Sequence, residues 1–392
     1  MFYWVFLPLK FQITVQENIF KMKQLLVISS APLIVKNGKY FAYSPYEKEM
    51  NIWAKYSDEI LFCCPIWNED KNLLNSEIQF DIAKVIPLKE FNIKSVSSIF
   101  TAFVYSFINF YIICKAIMNA NHIHMRCPGN MGLIASFAQI FFPKKNKTAK
   151  YAGNWDSKAK QPFTYKLQRW ILSNTFLTKN MQVLVYGEWP NQSKNIKSFF
   201  TATYRENEKK IVKQRDFYNK INFIFVGTLS IGKQPIYAIK LVEKLKAKGR
   251  NVQLSIYGSG SENDVLEAYI KNNKLNDFIF LKGNANKEAM KSVYQNSHFL
   301  ILPSKSEGWP KVVAEAMFFG CLPIATSVSC VPNMLDYGKR GILLKEEINF
   351  DVLQIDELLS NQDLYINMAN AAISWSQNYT IDKFESEIEK LL

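Results

Sequence analysis

Residues 298–326 read HFLILPSKSEGWPKVVAEAMFFGCLPIAT, and the order of residue types in this stretch sets the fold of the second half of the chain. HFLILP (298–303) is a short apolar run of the kind that forms a strand buried on both faces of a parallel sheet. It ends in a polar loop, Ser304 to Trp309. Pro310 fits the first position of a helix, because its fixed φ is already helical and its missing N–H would have no partner there anyway. The helix is expected over 310–319. Gly320 can take the left-handed conformation that closes it, and LPIAT (322–326) begins the next strand.

The same alternation extends outward in both directions. INFIFVG (221–227), VQLSIYG (252–258) and FIFLKG (278–283) read as strands, with helices at 234–248, 261–273 and 286–296 between them and Gly249 as a helix stop. Short β-branched or aromatic runs alternating with longer amphipathic stretches are the signature of βα units, so a doubly wound parallel sheet is expected from Ile221 onward. The first half repeats the pattern less regularly. Its strand candidates are QLLVISS (24–30), EILFCCP (59–65), HIHMRCP (122–128) and MQVLVYG (181–187), with helices near 45–56, 95–117, 131–141 and 162–175. RENEKKIVKQRDFYNK (205–220) is charged and reads as a linker. The expected organisation is therefore α/β, with two Rossmann-like doubly wound domains over 22–204 and 221–375 facing a central cleft. A C-terminal helix in 376–392 is expected to return to the first domain. Residues 1–21 have an apolar head but no basic residues ahead of it and no small-residue cleavage site, so they read as an N-terminal extension rather than a signal peptide.

Composition narrows the classes. The chain has 392 residues, 48% hydrophobic and 21% charged, enough for two cores and unlike a disordered polymer. Six Cys without a CxxC pair and three His without HExxH remove zinc ribbons, zincins and a disulfide scaffold, and point to a reducing compartment. The net charge of +14 is uneven. Residues 1–200 hold 24 Lys/Arg against 12 Asp/Glu, and between Phe91 and Gly187 the only acid is Asp156. Such a field suits an acidic partner: an anionic membrane face, a phosphorylated acceptor or nucleic acid. The uncharged, aromatic stretch Ser95 to Cys114 reads first as a buried or half-buried crossover helix. An interfacial helix on lipid is the second reading and a membrane span the third.

In a doubly wound sheet, ligands sit beyond the carboxyl ends of the strands, so the chemistry is sought in the cleft. The N-terminus of the helix opened by Pro310, with its free N–H groups and partial positive charge, is a seat for a diphosphate. Gly308 lets backbone approach a ligand closely. Glu315 lies about a turn and a half inside the helix, where a carboxylate can accept from a ribose diol. Glu307, in the loop before the helix, is placed for sugar hydroxyls.

The pair Glu307 and Glu315, embedded in SEGWP…EAM..G.P, resembles the Glu-x7-Glu motif of retaining glycosyltransferases of the GT-B fold, particularly family 4. FVGTLSIGK (225–233) resembles the family's VGRL…KG segment, LSIYGSG (254–260) its second strand and glycine turn, and FLKGNANKEAMKSVYQNS (280–297) its next segment. The resemblance implies a nucleotide-diphosphate-sugar donor held by the second domain and a glycan or lipid-linked acceptor held by the first. By the same resemblance Lys233 contacts the diphosphate, Glu307 and the Gly308–Pro310 backbone the sugar, and Glu315 the ribose, while Gly227, Thr228, Gly258, Gly283, Trp309 and Val312 complete the donor site. Lys233 and Glu307 are the residues expected to act in transfer. No Asp-x-Asp triplet is present, so no metal or other cofactor is expected.

Two departures from the family pattern stand out. Thr228 occupies the place of the family's Arg, which removes half of the diphosphate clamp unless Arg126 or Lys36 replaces it. Where many members have a His near the reacting sugar, HMRCPGN (124–130) offers Arg126 and Asn130 beside Gly129. These two residues and Trp155 are the acceptor-side candidates, and His124 reads as a core residue. Lys144, Lys145, Lys147 and Lys150 read as a solvated loop. The resulting expectation is a metal-independent glycosyltransferase that retains configuration, with the leaving phosphate as base, working in cell-surface polysaccharide synthesis at the cytoplasmic face of a membrane. A sugar-nucleotide epimerase or phosphorylase, and a silent sugar-nucleotide-binding scaffold, are the alternatives. Nucleic-acid binding is disfavoured, since its motifs are absent.

Overall fold

The computed structural model describes residues 23–71, 73–92 and 96–392; the reading of residues 1–21 as an extension lies outside them. Among the described residues, seven strands form the first sheet, in the spatial order Ile196–Phe199, Met181–Tyr186, Asn146–Tyr151, His122–Cys127, Gln24–Ile28, Glu59–Cys64, Ile82–Pro87. All its pairings are parallel. Strand Gln24–Ile28 shows why. Leu25 and Val27 point into one core and Leu26 and Ile28 into the other, so both faces are apolar and both are covered by helices. Ser44–Ala54 lies on one face, burying Tyr46, Met50 and Trp53, and the crossover helix Val96–Asn119 lies on the other, burying Ile113 and Ile117.

The second sheet has six parallel strands in the order Ile279–Gly283, Val252–Tyr257, Ile221–Val226, Phe299–Leu302, Leu322–Thr326, Ile342–Leu344. The chain enters at a central strand, winds outward through two neighbours, then crosses back to Phe299–Leu302 and winds out the other way. The winding direction reverses between Ile221–Val226 and Phe299–Leu302, which is the topological switch point where a doubly wound sheet opens its ligand crevice.

The strands expected from sequence are present within a residue or two. The sequence pattern does not mark a small four-stranded sheet, Ile66–Trp67, Leu33–Lys36, Lys39–Tyr43 and Asn75–Glu77, built from the segments that follow Gln24–Ile28 and Glu59–Cys64. Nor does it mark Asn146–Tyr151. There the expectation of a solvated lysine loop is corrected: Lys147 and Lys150 lie on a central strand and are buried, and only Lys144 and Lys145 stand in the turn before it.

The crossover helix joins its two strands as expected but is far from buried. Ile99, Phe100, Phe103, Val104, Phe107, Ile108 and Tyr111 are all exposed.

The charged segment after Tyr204 is strapped to the second domain, because the Arg215 guanidinium donates to the carbonyls of Tyr294, Gln295, Phe319 and Gly320. The last helix, Ile381–Glu389, lies against the first domain. Phe384 packs on Phe199 and Phe200, and Glu385 and Glu387 pair with Lys55 and Lys197.

Candidate active site

Two loops line the crevice of the second domain, each leaving the carboxyl end of one of its two innermost strands. One runs from Ile221–Val226 to Lys233, and the other from Phe299–Leu302 to Glu307. The loops are tied together by backbone and side chain: Lys305 N donates to Gly232 O at 2.9 Å, and Gln234 Nε2 donates to Pro303 O at 2.8 Å. That tie brings Lys233 Nζ to 2.5 Å from Glu307 Oε1, with the Glu307 side chain 8% exposed and the Lys233 side chain 30%. The two residues expected from sequence to carry the chemistry therefore meet at the switch point.

Beside them the helix Lys311–Phe318 begins with Pro310 as its N-cap and no side chain capping it; Val313 N donates to Pro310 O at 3.0 Å, which leaves the N–H groups of Lys311 and Val312 to meet an anion. On the other side Gly227, Gly258 and Gly283 form a continuous rim. Gly227 N donates to Tyr257 O at 3.0 Å, and Gly258 N to Gly283 O at 2.9 Å. A Cβ on Gly258, at φ +143°, would lie 1.9 Å from the Gly227 carbonyl oxygen, so only glycine permits this approach of the two strand ends. Thr228 is exposed on that rim.

Several residues sit differently from their expected roles. Gly308 gives close approach to the first domain: a Cβ there would be 3.1 Å from Ala152 O and 3.4 Å from the Tyr186 ring. The Trp309 indole is buried in an aromatic cluster with Tyr186, Phe200, Trp375 and Tyr379, at centroid distances of 5.5 to 6.4 Å, so only its backbone is left for a donor. Val312 is half-buried in the first turn of the helix. Glu315 accepts from Thr203 Oγ1 at 2.7 Å and from Tyr294 OH at 2.9 Å, which bridges the two domains. Each carboxylate oxygen accepts more than one hydrogen bond, so a ribose diol can still share it. Trp155 is 2% exposed, stands edge-on to Tyr151 and donates Nε1 to Gln192 Oε1 at 3.0 Å; its ring has no face open to an acceptor. Asn130 opens the helix Asn130–Ala138 and donates to Phe91 O.

Arg126 belongs to a cluster that the sequence does not announce. Its guanidinium lies 3.1 Å from Glu49 Oε2 and over the Tyr46 ring, and Lys150 Nζ lies 2.9 Å from the same oxygen. Burial pushes the Glu49 carboxyl up, but Lys150 and Arg126 together pull it down to about 2, so it stays charged. Lys311, in the first turn of the Lys311–Phe318 helix, has its affinity for a proton lowered by burial and partly restored by Glu49. The cluster thus adjoins the interface between domains. The one available signal is a charged residue at an inward position of each element, Glu49 among Tyr46, Met50 and Trp53, and Lys150 within KTAKY. Lys36 sits on the small sheet, paired with Asp70 at 2.9 Å. Arg126 and Lys36 are thus engaged with Glu49 and Asp70, whereas the ion pair of Glu307 among the described residues is with Lys233.

Residues 206–375 match the family described as glycosyl transferases group 1. Over 171 residues the chain is 32% identical to an uncharacterized glycosyltransferase of Haemophilus influenzae, covering 43% of this chain and 47% of that protein. Over 132 residues it is 29% identical to a putative colanic acid biosynthesis glycosyltransferase, WcaL, of Salmonella typhimurium, covering 32% of each. The chain thus spans about half or less of the length of these curated relatives. Among solved structures, Anabaena HepE in complex with UDP and glucose superposes with a TM-score of 0.63 over 94% of this chain and 98% of that one, at 14% identity, which establishes a shared fold. Residues 206–375 are therefore a glycosyl transferases group 1 domain, and it forms the second half of a two-domain GT-B fold.

Proposed function

We propose that the chain is a glycosyltransferase that moves a sugar from a nucleotide-diphosphate-sugar to a glycan or lipid-linked acceptor, with the anomeric configuration kept, in the synthesis of a cell-surface polysaccharide at the cytoplasmic face of a membrane. The observation that carries this reading is the Lys233–Glu307 ion pair at the switch point, in front of an uncapped helix N-terminus. A diphosphate seated on those N–H groups competes with Glu307 for the Lys233 ammonium. Once Lys233 turns to the phosphates, the Glu307 carboxylate is released to accept hydrogen bonds from the sugar. The cation and the helix N-terminus then oppose the negative charge that grows on the leaving diphosphate, the kind of preorganised electrostatic effect that lowers such barriers most. The leaving phosphate takes the acceptor's proton, and the reading asks for no metal. The names of the relatives support the reaction class and, for WcaL, the polysaccharide context.

The test is a product analysis with a panel of nucleotide sugars, with and without oligosaccharide and lipid-linked acceptors, in excess chelator. A transferase releases nucleoside diphosphate and builds a longer glycan only when acceptor is present. An epimerase would convert the nucleotide sugar without acceptor, and activity abolished by chelator would remove the metal-free reading. Thr228, in the place of the family's Arg, favours a second reading as a sugar-nucleotide-binding scaffold. Tight donor binding with no turnover for any acceptor would establish it.

A further inference from the structure

We propose that the outer face of the crossover helix Val96–Asn119, with Phe141 beside it, docks this protein on an anionic lipid bilayer. The face is continuous. Exposed Ile99, Phe100, Phe103, Val104, Phe107 and Tyr111 recur at the spacing of one helical side, while Ala102, Asn109, Ile113 and Ile117 on the opposite side are buried. Phe141 is 69% exposed and stands edge-on to Phe110 at 6.0 Å, which extends the apolar surface onto the neighbouring element. At 24 residues the helix is about 36 Å long, enough to cross a bilayer by length alone. Its inner side forbids that. Asn109 is fully buried and bonded both ways to the Lys89 backbone, accepting from N at 2.9 Å and donating to O at 2.8 Å, so the helix stays fixed to its sheet. A helix held on one side and apolar on the other lies in the plane of the interface.

Charge selects the occupant. Lys115 and Lys144 are exposed at the end of the helix and in the turn after Phe141, and Asp156 is the only acid between Phe91 and Gly187. A second copy of the chain would bring the same positive field and be repelled, whereas acidic headgroups neutralise it. The inference does not rest on the donor-site reading.

The test is co-sedimentation of the full chain with phosphatidylglycerol vesicles and with phosphatidylcholine vesicles. Binding is expected to the former at low salt, and to weaken in high salt. Phe103→Asp with Phe107→Asp, two rings each 62% exposed and 4.8 Å apart, should cut the partition coefficient about tenfold or more while leaving the thermal melt and transfer to a soluble acceptor unchanged. Lys115→Glu with Lys144→Glu should remove most of the salt dependence. Absence of binding to the anionic vesicles, binding indifferent to the Phe103→Asp and Phe107→Asp pair, or a concentration-dependent dimer that this pair dissolves would each overturn the proposal.

Discussion

Each carboxylate oxygen of Glu315 already accepts one hydrogen bond, from the Thr203 hydroxyl and from the Tyr294 hydroxyl, and the Tyr294 ring is fully buried. Burial, and then the nearby carboxylate, push the Tyr294 phenol well above its ordinary range, so it remains a donor at any working pH. Glu315→Ala strands that donor, at a cost of about 1–3 kcal/mol. Glu315→Gln keeps a carbonyl acceptor. Thermal melts run beside transfer assays should show a fall of several degrees for Glu315→Ala, largely recovered in Glu315→Gln, with activity low in both if the carboxylate grips the donor. Recovery of activity along with stability in Glu315→Gln would leave Glu315 as a bridge between domains only. The motif resemblance singles out Glu307, Glu315 and Lys233 in the sequence, and the structure puts Lys233 against Glu307. The partners of Glu315 are not legible there, because Thr203 and Tyr294 come from segments far from it in the chain.

At the scale of elements, the strands with unbroken apolar runs are readable, and Asn146–Tyr151 is not, since two lysines interrupt it. The fold tolerates them by giving each ammonium partners: Lys147 Nζ donates to Phe142 O at 3.0 Å, and Lys150 meets Glu49. The same strand places Thr148 Oγ1 within 3.1 Å of His122 Nε2 and 2.9 Å of His124 Nδ1. Burial lowers His122 to about 4 and His124 to about 3, the latter against the opposing pull of Glu49. Both rings lose affinity for protons on folding. The unfolded chain therefore takes up protons that the native one refuses, so stability is intact above about pH 6.5 and drains as pH falls toward those lower values. Each histidine contributes about 1.4 kcal/mol per pH unit through that window. Urea unfolding across a pH series should show His124→Gln with a shallower loss between about pH 6.5 and 4 than the parent chain. Parallel slopes would mean that His124 is protonated in the folded protein.

Across the whole molecule, the two domains are readable as separate sheets but their joint is not. It is built from residues contributed by distant segments: Tyr186 and Phe200 from the first domain, Trp309 from the loop after Phe299–Leu302, Trp375 and Tyr379 from the chain's return. Single aromatics of this kind carry no periodicity that marks them as an interface. Removing the central ring, Trp309→Ala, should cost about 3–5 kcal/mol in urea unfolding. A loss under about 1 kcal/mol would mean the cluster contributes little to cohesion. The central claim, that Lys233 beside Glu307 receives the donor's diphosphate, is tested most directly by calorimetric titration with UDP and other nucleoside diphosphates. Lys233→Met should weaken binding about tenfold or more, and its melt also falls because the Glu307 carboxylate, 8% exposed, loses its partner; Lys233→Gln, which can still donate to Glu307, should show the loss of affinity with much of that stability kept. Lys36→Met, on the small sheet, should bind as the parent does. Equal affinity in the parent chain and Lys233→Met would contradict the claim.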